Sequence, residues 1–356
     1  MKDKGIQADR FKHPDAMPPS PNIGGTEASP EVHKIQGLPR SPRPPRRRVV
    51  RKLFGWLLVV IVLAALIYII YLGNIVAKVS TNPWQLGPLA ADPSGRTNVL
   101  VLGVGDPGHA GEALSDTIMM VSLDNKSKRV AQVSVPRDLR VTLPGYGLSK
   151  INAANAYGGV SLAEQAVSNT LGVPLDYYLK TDFSGMKNIV DAVGGIDVNV
   201  KSRLLDKEYP CTDNQYKACG LDIMPGLQHM NGSQVLAYVR CRKGTCGDDF
   251  GRAARQQEVI NLLKPKVLDL GLLWHPARLK ALVASLQSGI KTDMGIVQLL
   301  QLANSWREDS NNQPVSLVLS TSNGGYLMSD PAGSSDLLPI GGDFSAISAR
   351  VNNIFQ

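Results

Sequence analysis

The run Leu53–Leu72, LFGWLLVVIVLAALIYIIYL, limits this 356-residue chain more than any other stretch, because it carries no charged residue. Such a segment is stable only inside a core or a bilayer, and a helix of about 20 residues matches the hydrocarbon thickness. Arg46, Arg47, Arg48, Arg51 and Lys52 precede it, while Lys78 is the only basic residue close behind. That asymmetry predicts a single span with the N-terminus in the cytoplasm and residues 73–356 outside. Trp56, Tyr68 and Tyr71 fall towards the two ends of the run, as interfacial aromatics do. A cleaved signal peptide fits less well, since the run is long and no clear small-residue cleavage motif follows.

The formal charge of +8 is concentrated ahead of the span. Residues 1–52 hold 12 Lys/Arg against 5 Asp/Glu, leaving 26 basic and 25 acidic residues for the rest. A nearly neutral remainder excludes a broad nucleic-acid-binding face, so no nucleic-acid partner is expected. The Pro-, Gly- and Ser-rich tail 1–52 has almost no apolar periodicity and is expected to be disordered. Its RSPRPPRRR segment reads first as a topology signal and second as a contact for anionic lipid or a partner. Residues 73–96, with Pro83, Pro88 and Pro93, read as a linker, and 97–356 as the extracytoplasmic domain.

The four cysteines, Cys211, Cys219, Cys241 and Cys246, all lie beyond the span, where paired cysteines usually form disulfides. Of three connectivities, Cys211–Cys219 and Cys241–Cys246 close the shortest loops and are the expected pair. Zinc spacings such as C-x2-C are absent, and no histidine accompanies the cysteines.

Within the domain, Asn98–Val104 is a continuous apolar run, the mark of a strand buried on both faces. Thr117–Leu123, Val130–Val135, Tyr177–Thr181, Ile196–Val200 and Val315–Ser320 read as further strands. Helices are expected from Lys150, from Ser161 to Leu171, over 183–193, from Arg252 to about Leu268, and over 276–289, 294–307 and 344–354. Strands alternating with helices of this length predict an α/β sandwich.

The most suggestive chemistry lies between Tyr238 and Gln257. Val235, Ala237 and Val239 alternate as in a strand, which would point Arg240 and Arg242 the same way, although a helix from Ser233 fits equally. Arg252, Arg255 and Gln256 then follow at helical spacing. Arginine offers a rigid fork of donors suited to phosphate oxygens, so a phosphate or pyrophosphate is the natural guest. A surface ion-pair network is the competing reading. Asp106 follows one strand and Asp116 opens the next; two carboxylates beside arginines suit a hard cation such as Mg²⁺ together with phosphate.

Seven blocks in order, NVLVLGVGD, SDTIMMVS, VSVPRD, KINAANAYGG, VDAVGGIDVNV, GLQHMNGSQVLAYVRCR and DFGRAARQQ, resemble the LytR-CpsA-Psr cell-wall glycopolymer transferases over about Asn98–Lys266. The resemblance implies an α/β/α sandwich with a central mixed sheet. It implies a polyprenyl-linked glycopolymer donor, a peptidoglycan acceptor, Mg²⁺ and a phosphodiester product. Carried over by motif, Asp106 and Asp116 hold the metal. Arg137, Arg240, Arg242 and Arg252 clamp the pyrophosphate, supported by Lys150 and Gln256. Asp249 is placed to orient the site, and it and Asp138 are the carboxylates available to take the acceptor's proton. Two departures stand out. Leu114 replaces the arginine common just before SDT, with the loop residue His109 as a possible substitute, and cysteines occupy positions 241 and 246 inside a motif. The apolar walls are expected from helices at 161–171, 183–193, 255–268 and 276–307.

Overall fold

The computed structural model describes residues 46–85, 87–108, 111–211, 217–269, 275–308 and 314–356. Two units divide at Leu57/Leu58. Of the first, only the start of helix α1 (Arg46–Val76) is described, so most of the expected disordered tail lies outside these residues. Trp56–Val76 is apolar enough and long enough to cross a membrane, and its side chains from Trp56 to Tyr71 stand exposed.

Past Tyr71 the helix changes role. Leu72 and Val76 pack with Ile296, and Ile75 and Val79 with Val283. The segment read as a linker is then bonded to the domain along its length. Thr81 N donates to Thr292 O at 2.9 Å, Leu89 N to Gln301 Oε1 at 2.7 Å and Ala90 N to the Tyr177 hydroxyl at 2.9 Å. Prolines stiffen this segment, but the hydrogen-bond partners that fix it come from beyond residue 170, out of reach of a local reading.

The strands follow in order: β1 (Arg96–Val104), β2 (Ser115–Asp124), β3 (Val130–Ser134), and the hairpin β4 (Arg140–Leu143) and β5 (Gly147–Lys150). Next come β6 (Tyr177–Thr181), β7 (Ile196–Val200), β8 (Leu204–Asp206), β9 (Leu221–Ile223), β10 (Gly226–Met230), β11 (Ile290–Thr292), β12 (Val315–Val318), β13 (Leu327–Ser329) and β14 (Leu337–Pro339). The helices beyond α1 are α2 (Ala154–Leu171), α3 (Phe183–Ala192), α4 (Gly232–Arg240), α5 (Asp249–Asp269), α6 (Pro276–Leu286), α7 (Ile296–Glu308) and α8 (Ser345–Asn352).

A six-stranded sheet, ordered β11-β6-β1-β2-β3-β12, forms the middle layer. β1 pairs antiparallel with β2 and parallel with β6, so the sheet is mixed, as expected. Alternation along β1 and β2 explains the layering, because successive side chains point to opposite faces. Leu100, Leu102, Ile118 and Met120 join Leu162, Ala166, Val167 and Ile347 on the α2–α8 side. Met119, Val121 and Leu123 meet Ile260 and Leu302 on the α5–α7 side. A satellite core of α3, α4, β7 and β10 gathers Val190, Ile196, Val198, Met230 and Val235.

Helix α2 is two helical pieces joined at a kink. As expected, one follows Lys150 and one runs to Leu171; they meet at Gly158 and Gly159, the latter at φ 65°, two residues before the expected cap Ser161. Half-buried on α2, Glu164 has its pKa pushed from 4.5 to about 7 by burial and, secondarily, by Asp293. A folded-state pKa raised for an acid means the folded chain binds more protons than the unfolded chain between those values. Stability carried by this group therefore falls as pH rises from 4.5 to about 7 and is level above. Glu164→Gln is expected to flatten that slope and to stabilise the protein at pH 8 by about 1–3 kcal/mol. Thermal melts of the full chain in detergent at pH 5 and 8 measure it; equal melting shifts at both pH values would refute it.

Candidate anion-binding site

The candidate site is built where β1 and β2 end. Their register slips between Gly103 and Val104, so that Val104 pairs with Ser115. A bulge bends a strand and re-aims its neighbours. A Cβ at Gly103 would lie 2.8 Å from Thr117 Oγ1, so only glycine permits this approach. Beside the bulge opens a cavity of ≈ 410 Å³. Its polar lining includes Asp116, Arg137, Arg240, Arg242, Arg252 and Gln256, while Val104, Leu114, Phe183, Met186, Leu236 and Val239 supply an apolar part.

Arg137 sits at the centre of the charged groups. Its Nη1 donates to Asp116 Oδ1 at 2.5 Å. Its Nε lies 3.4 Å from Asp249 and 3.5 Å from Asp138, yet makes no hydrogen bond and is buried. Burial opposes its charge, but Asp116 and Asp249, with Asp138, outweigh that and hold its pKa above the ordinary value. Arg252, on α5, is buried and donates from Nη2 to Asp249 Oδ2 at 2.8 Å and to the Asp116 carbonyl at 3.0 Å. Burial pulls its pKa down, against Asp249 and with the help of Arg137 and Arg242.

Arg240 and Arg242 are not on a strand. Asn231 and Gln234 form a reciprocal capping box that starts α4, and Val235 and Val239 face the core at helical spacing. Arg240 therefore ends a helix and Arg242 follows in the loop. The Arg240 guanidinium stacks 4.1 Å from the Phe183 ring centroid and 5.9 Å from that of Tyr209. Aromatic faces hold a cation without a carboxylate partner. Among the described residues no salt bridge engages Arg240 or Arg242, which leaves both charges facing the cavity.

Three expected participants stand elsewhere. Lys150 lies outside the cavity wall, where Nζ donates to Asp138 Oδ1 at 2.7 Å and Ser335 Oγ at 2.8 Å. Asp249 does not line the cavity itself but holds Arg252 at 2.8 Å and lies 3.4 Å from Arg137 Nε, two residues that do. Asp106 accepts from Ser184 N at 2.8 Å, at the first turn of α3. Arg255 has turned away altogether: it donates to the carbonyls of Tyr238 (3.0 Å), Cys246 (2.8 Å) and Cys241. His109 falls outside the described residues. Both expected disulfides are present, with Cα–Cα distances of 4.9 Å for Cys211–Cys219 and 5.6 Å for Cys241–Cys246.

Asp182, which also lines the cavity, was not anticipated. It caps α3 through Gly185 N at 2.8 Å, and burial together with nearby Asp106 raises its pKa despite that bond. The sequence DFSG offered a cap signal for it. Phe183 and Tyr209 gave none, because their role depends on where Arg240 arrives. Of the expected apolar walls, α3 contributes, while Leu162–Val167 of α2 belong to the core; α4, whose stretch fits helix and strand equally in the sequence, is not among the expected walls.

The family model described as LytR_cpsA_psr matches residues 74–330. A polyisoprenyl-teichoic acid–peptidoglycan teichoic acid transferase TagU from Bacillus mycoides (strain KBAB4) is 32% identical over 216 residues, covering 60% of this chain and 66% of the relative. The regulatory protein MsrR of Staphylococcus aureus (strain COL) is 34% identical over 185 residues, covering 51% and 52%. The chain thus spans just under two thirds of the length of the first of these relatives. Among solved structures, B. subtilis TagV superposes with a TM-score of 0.58 at 27% identity, over 73% of this chain and 97% of that one. A TagT structure bound to LI-WTA gives 0.58 at 25% identity, over 78% and 96%.

Proposed function

The chain belongs to the LytR-CpsA-Psr family, and on that premise we propose that it is a membrane-anchored transferase moving a glycopolymer from a polyprenyl pyrophosphate carrier to peptidoglycan. The observation that carries this reading is the convergence of Arg137, Arg240, Arg242 and Arg252 on one cavity, where among the described residues Arg240 and Arg242 engage in no salt bridge. Their rigid forks of donors suit the oxygens of a phosphate. The TagU relative's name and the TagT complex support the substrate class.

In the reaction, a hydroxyl oxygen of the acceptor attacks the phosphorus that carries the polymer. A new P–O bond forms, the bond to the carrier's inner phosphate breaks, and polyprenyl monophosphate leaves. The hydroxyl proton passes to a carboxylate, with Asp138 and Asp249 as candidates, each 3.5 Å or less from Arg137. Arg137, Arg240, Arg242 and Arg252 neutralise charge developing on the phosphate oxygens. The mixed lining suits a ligand with a phosphate head and an apolar tail.

Carboxylate oxygens are the donors a hard divalent cation takes. Burial, together with nearby Asp106, raises the pKa of Asp182, which lines the same cavity as Asp116. Asp106 and Asp116 would hold Mg²⁺, which when bound supplies further charge neutralisation. An apolar helix long enough to cross a membrane supports the anchor, and the basic residues before it support an orientation with the domain outside.

A second reading, a non-catalytic polyprenyl-phosphate-binding scaffold or regulator, draws on Leu114, which occupies the cavity rim where the family commonly has arginine. Two measurements decide. Full chain purified from membranes should carry polyprenyl phosphates visible by mass spectrometry; their absence would sink both readings. With lipid-linked saccharide and peptidoglycan fragments, transfer should require Mg²⁺ and stop on chelation. Lipid without transfer would favour the scaffold.

A further inference from the structure

Outside the cavity the chain exposes aromatic surface that the donor site does not use. The β4–β5 hairpin turns through Pro144, Gly145 and Tyr146. The Tyr146 ring stacks on that of Tyr157, centroids 5.0 Å apart and planes 15° from parallel. The Tyr146 hydroxyl donates to the Tyr157 carbonyl at 3.0 Å. Despite this ordering, Tyr146 is 55% exposed, Tyr157 52% and neighbouring Leu148 74%. The bend at Gly158–Gly159 follows directly, so helical geometry breaks just after Tyr157.

Rigid rings held open to water lose little further entropy when a ligand settles on them. Their surroundings narrow the ligand's chemistry. No charged residue occurs from Leu143 to Ser149 or from Asn152 to Ala163. The nearby cations are already engaged, Lys150 by Asp138 and Ser335 and Lys180 by Asn155, and a bilayer-docking patch would ordinarily carry basic companions of its own. A neutral pyranose presents an apolar C–H face that matches an aromatic ring and hydroxyls that stay in water. The location fits as well. Asn155, two residues before Tyr157, donates to the Ala113 carbonyl at 2.6 Å, and Leu114 next to it lines the cavity.

We infer that Tyr146 and Tyr157 form a stacking platform for the neutral glycan strand of peptidoglycan, seating the acceptor at the cavity rim. The inference rests on the transferase reading for its biological ligand, but its test is one of binding. Full chain in nanodiscs is titrated calorimetrically with a β-1,4-linked N-acetylglucosamine hexamer. Binding is expected, weakened about 10-fold or more by Tyr157→Ala (1.4 kcal/mol per decade), retained in Tyr157→Phe and unchanged in Arg240→Ala. In transfer assays Tyr157→Ala should raise the acceptor KM and leave kcat near its original value. No binding by the unaltered chain, or equal binding by Tyr157→Ala and Tyr146→Ala, would overturn the platform. Broadening of fluorotyrosine signals at 146 and 157 by lipid-borne spin labels would assign the patch to the bilayer and overturn it too. If the hexamer binds as expected but no polymer is transferred, the transferase reading fails while the platform stands.

Discussion

Replacing Arg137 with alanine is expected to lower kcat/KM for polymer transfer by about 10²–10³-fold, the scale of losing one preorganised donor at a developing oxyanion. The effect has two parts. The guanidinium that would meet the phosphate is lost. Asp116, Asp138 and Asp249 would also lose the cation they share, and Asp116 would line the cavity without its partner. Arg137→Lys should recover little, because one ammonium cannot hold Asp116 and present a second directed donor. Arg137→Ala/Asp116→Ala should be no worse than the single variants if the two act as a unit. Transfer within a few fold of the unaltered chain in Arg137→Ala would remove it from the site.

The second large effect concerns stability. Arg255→Ala should cost about 2–4 kcal/mol, since three backbone carbonyls lose a charged donor. Those carbonyls, of Tyr238, Cys241 and Cys246, bracket the segment that carries Arg240 and Arg242. The Cys241–Cys246 bridge closes the same loop, and both sulfurs lie in buried residues. Arg255 thus braces the loop from α5 while the disulfide closes it. Thermal melts of the full chain in detergent should show a fall of several degrees for Arg255→Ala. Arg240→Ala should change little, because a half-exposed cation–π contact contributes only about 0.5–1 kcal/mol. An unchanged melt for Arg255→Ala would mean that the bridge alone holds the loop.

These variants separate arginines that a linear reading groups together. At positions 240, 242, 252 and 255 the residue type is the same and the motif groups them together. Two line the cavity with no acidic partner among the described residues, one is buried against Asp249, and one serves the backbone. Only the neighbours decide, and Phe183, Tyr209 and the carbonyls of the disulfide loop come from separate parts of the chain. The same limit explains Lys150. Its motif placed it with the phosphate ligands, but Asp138 and the C-terminal loop residue Ser335 hold it behind the cavity.

The sequence by itself determined the apolar span, because twenty uncharged residues have few stable environments in water. It determined five of the six strands of the central sheet, missing the short β11, and the disulfide pairs, where short loops leave little choice. That Asp116, Arg137 and Arg252 come together was also legible from their motif order, and the structure brings all three to one cavity. The tertiary structure alone decided that Arg240 ends a helix: its alternating valines fit two periods, and the Asn231–Gln234 cap and the satellite core selected one. It also decided that the described residues between 77 and 92 lie bonded to the domain. Each of these depends on contacts between segments far apart in the chain, which local periodicity does not encode.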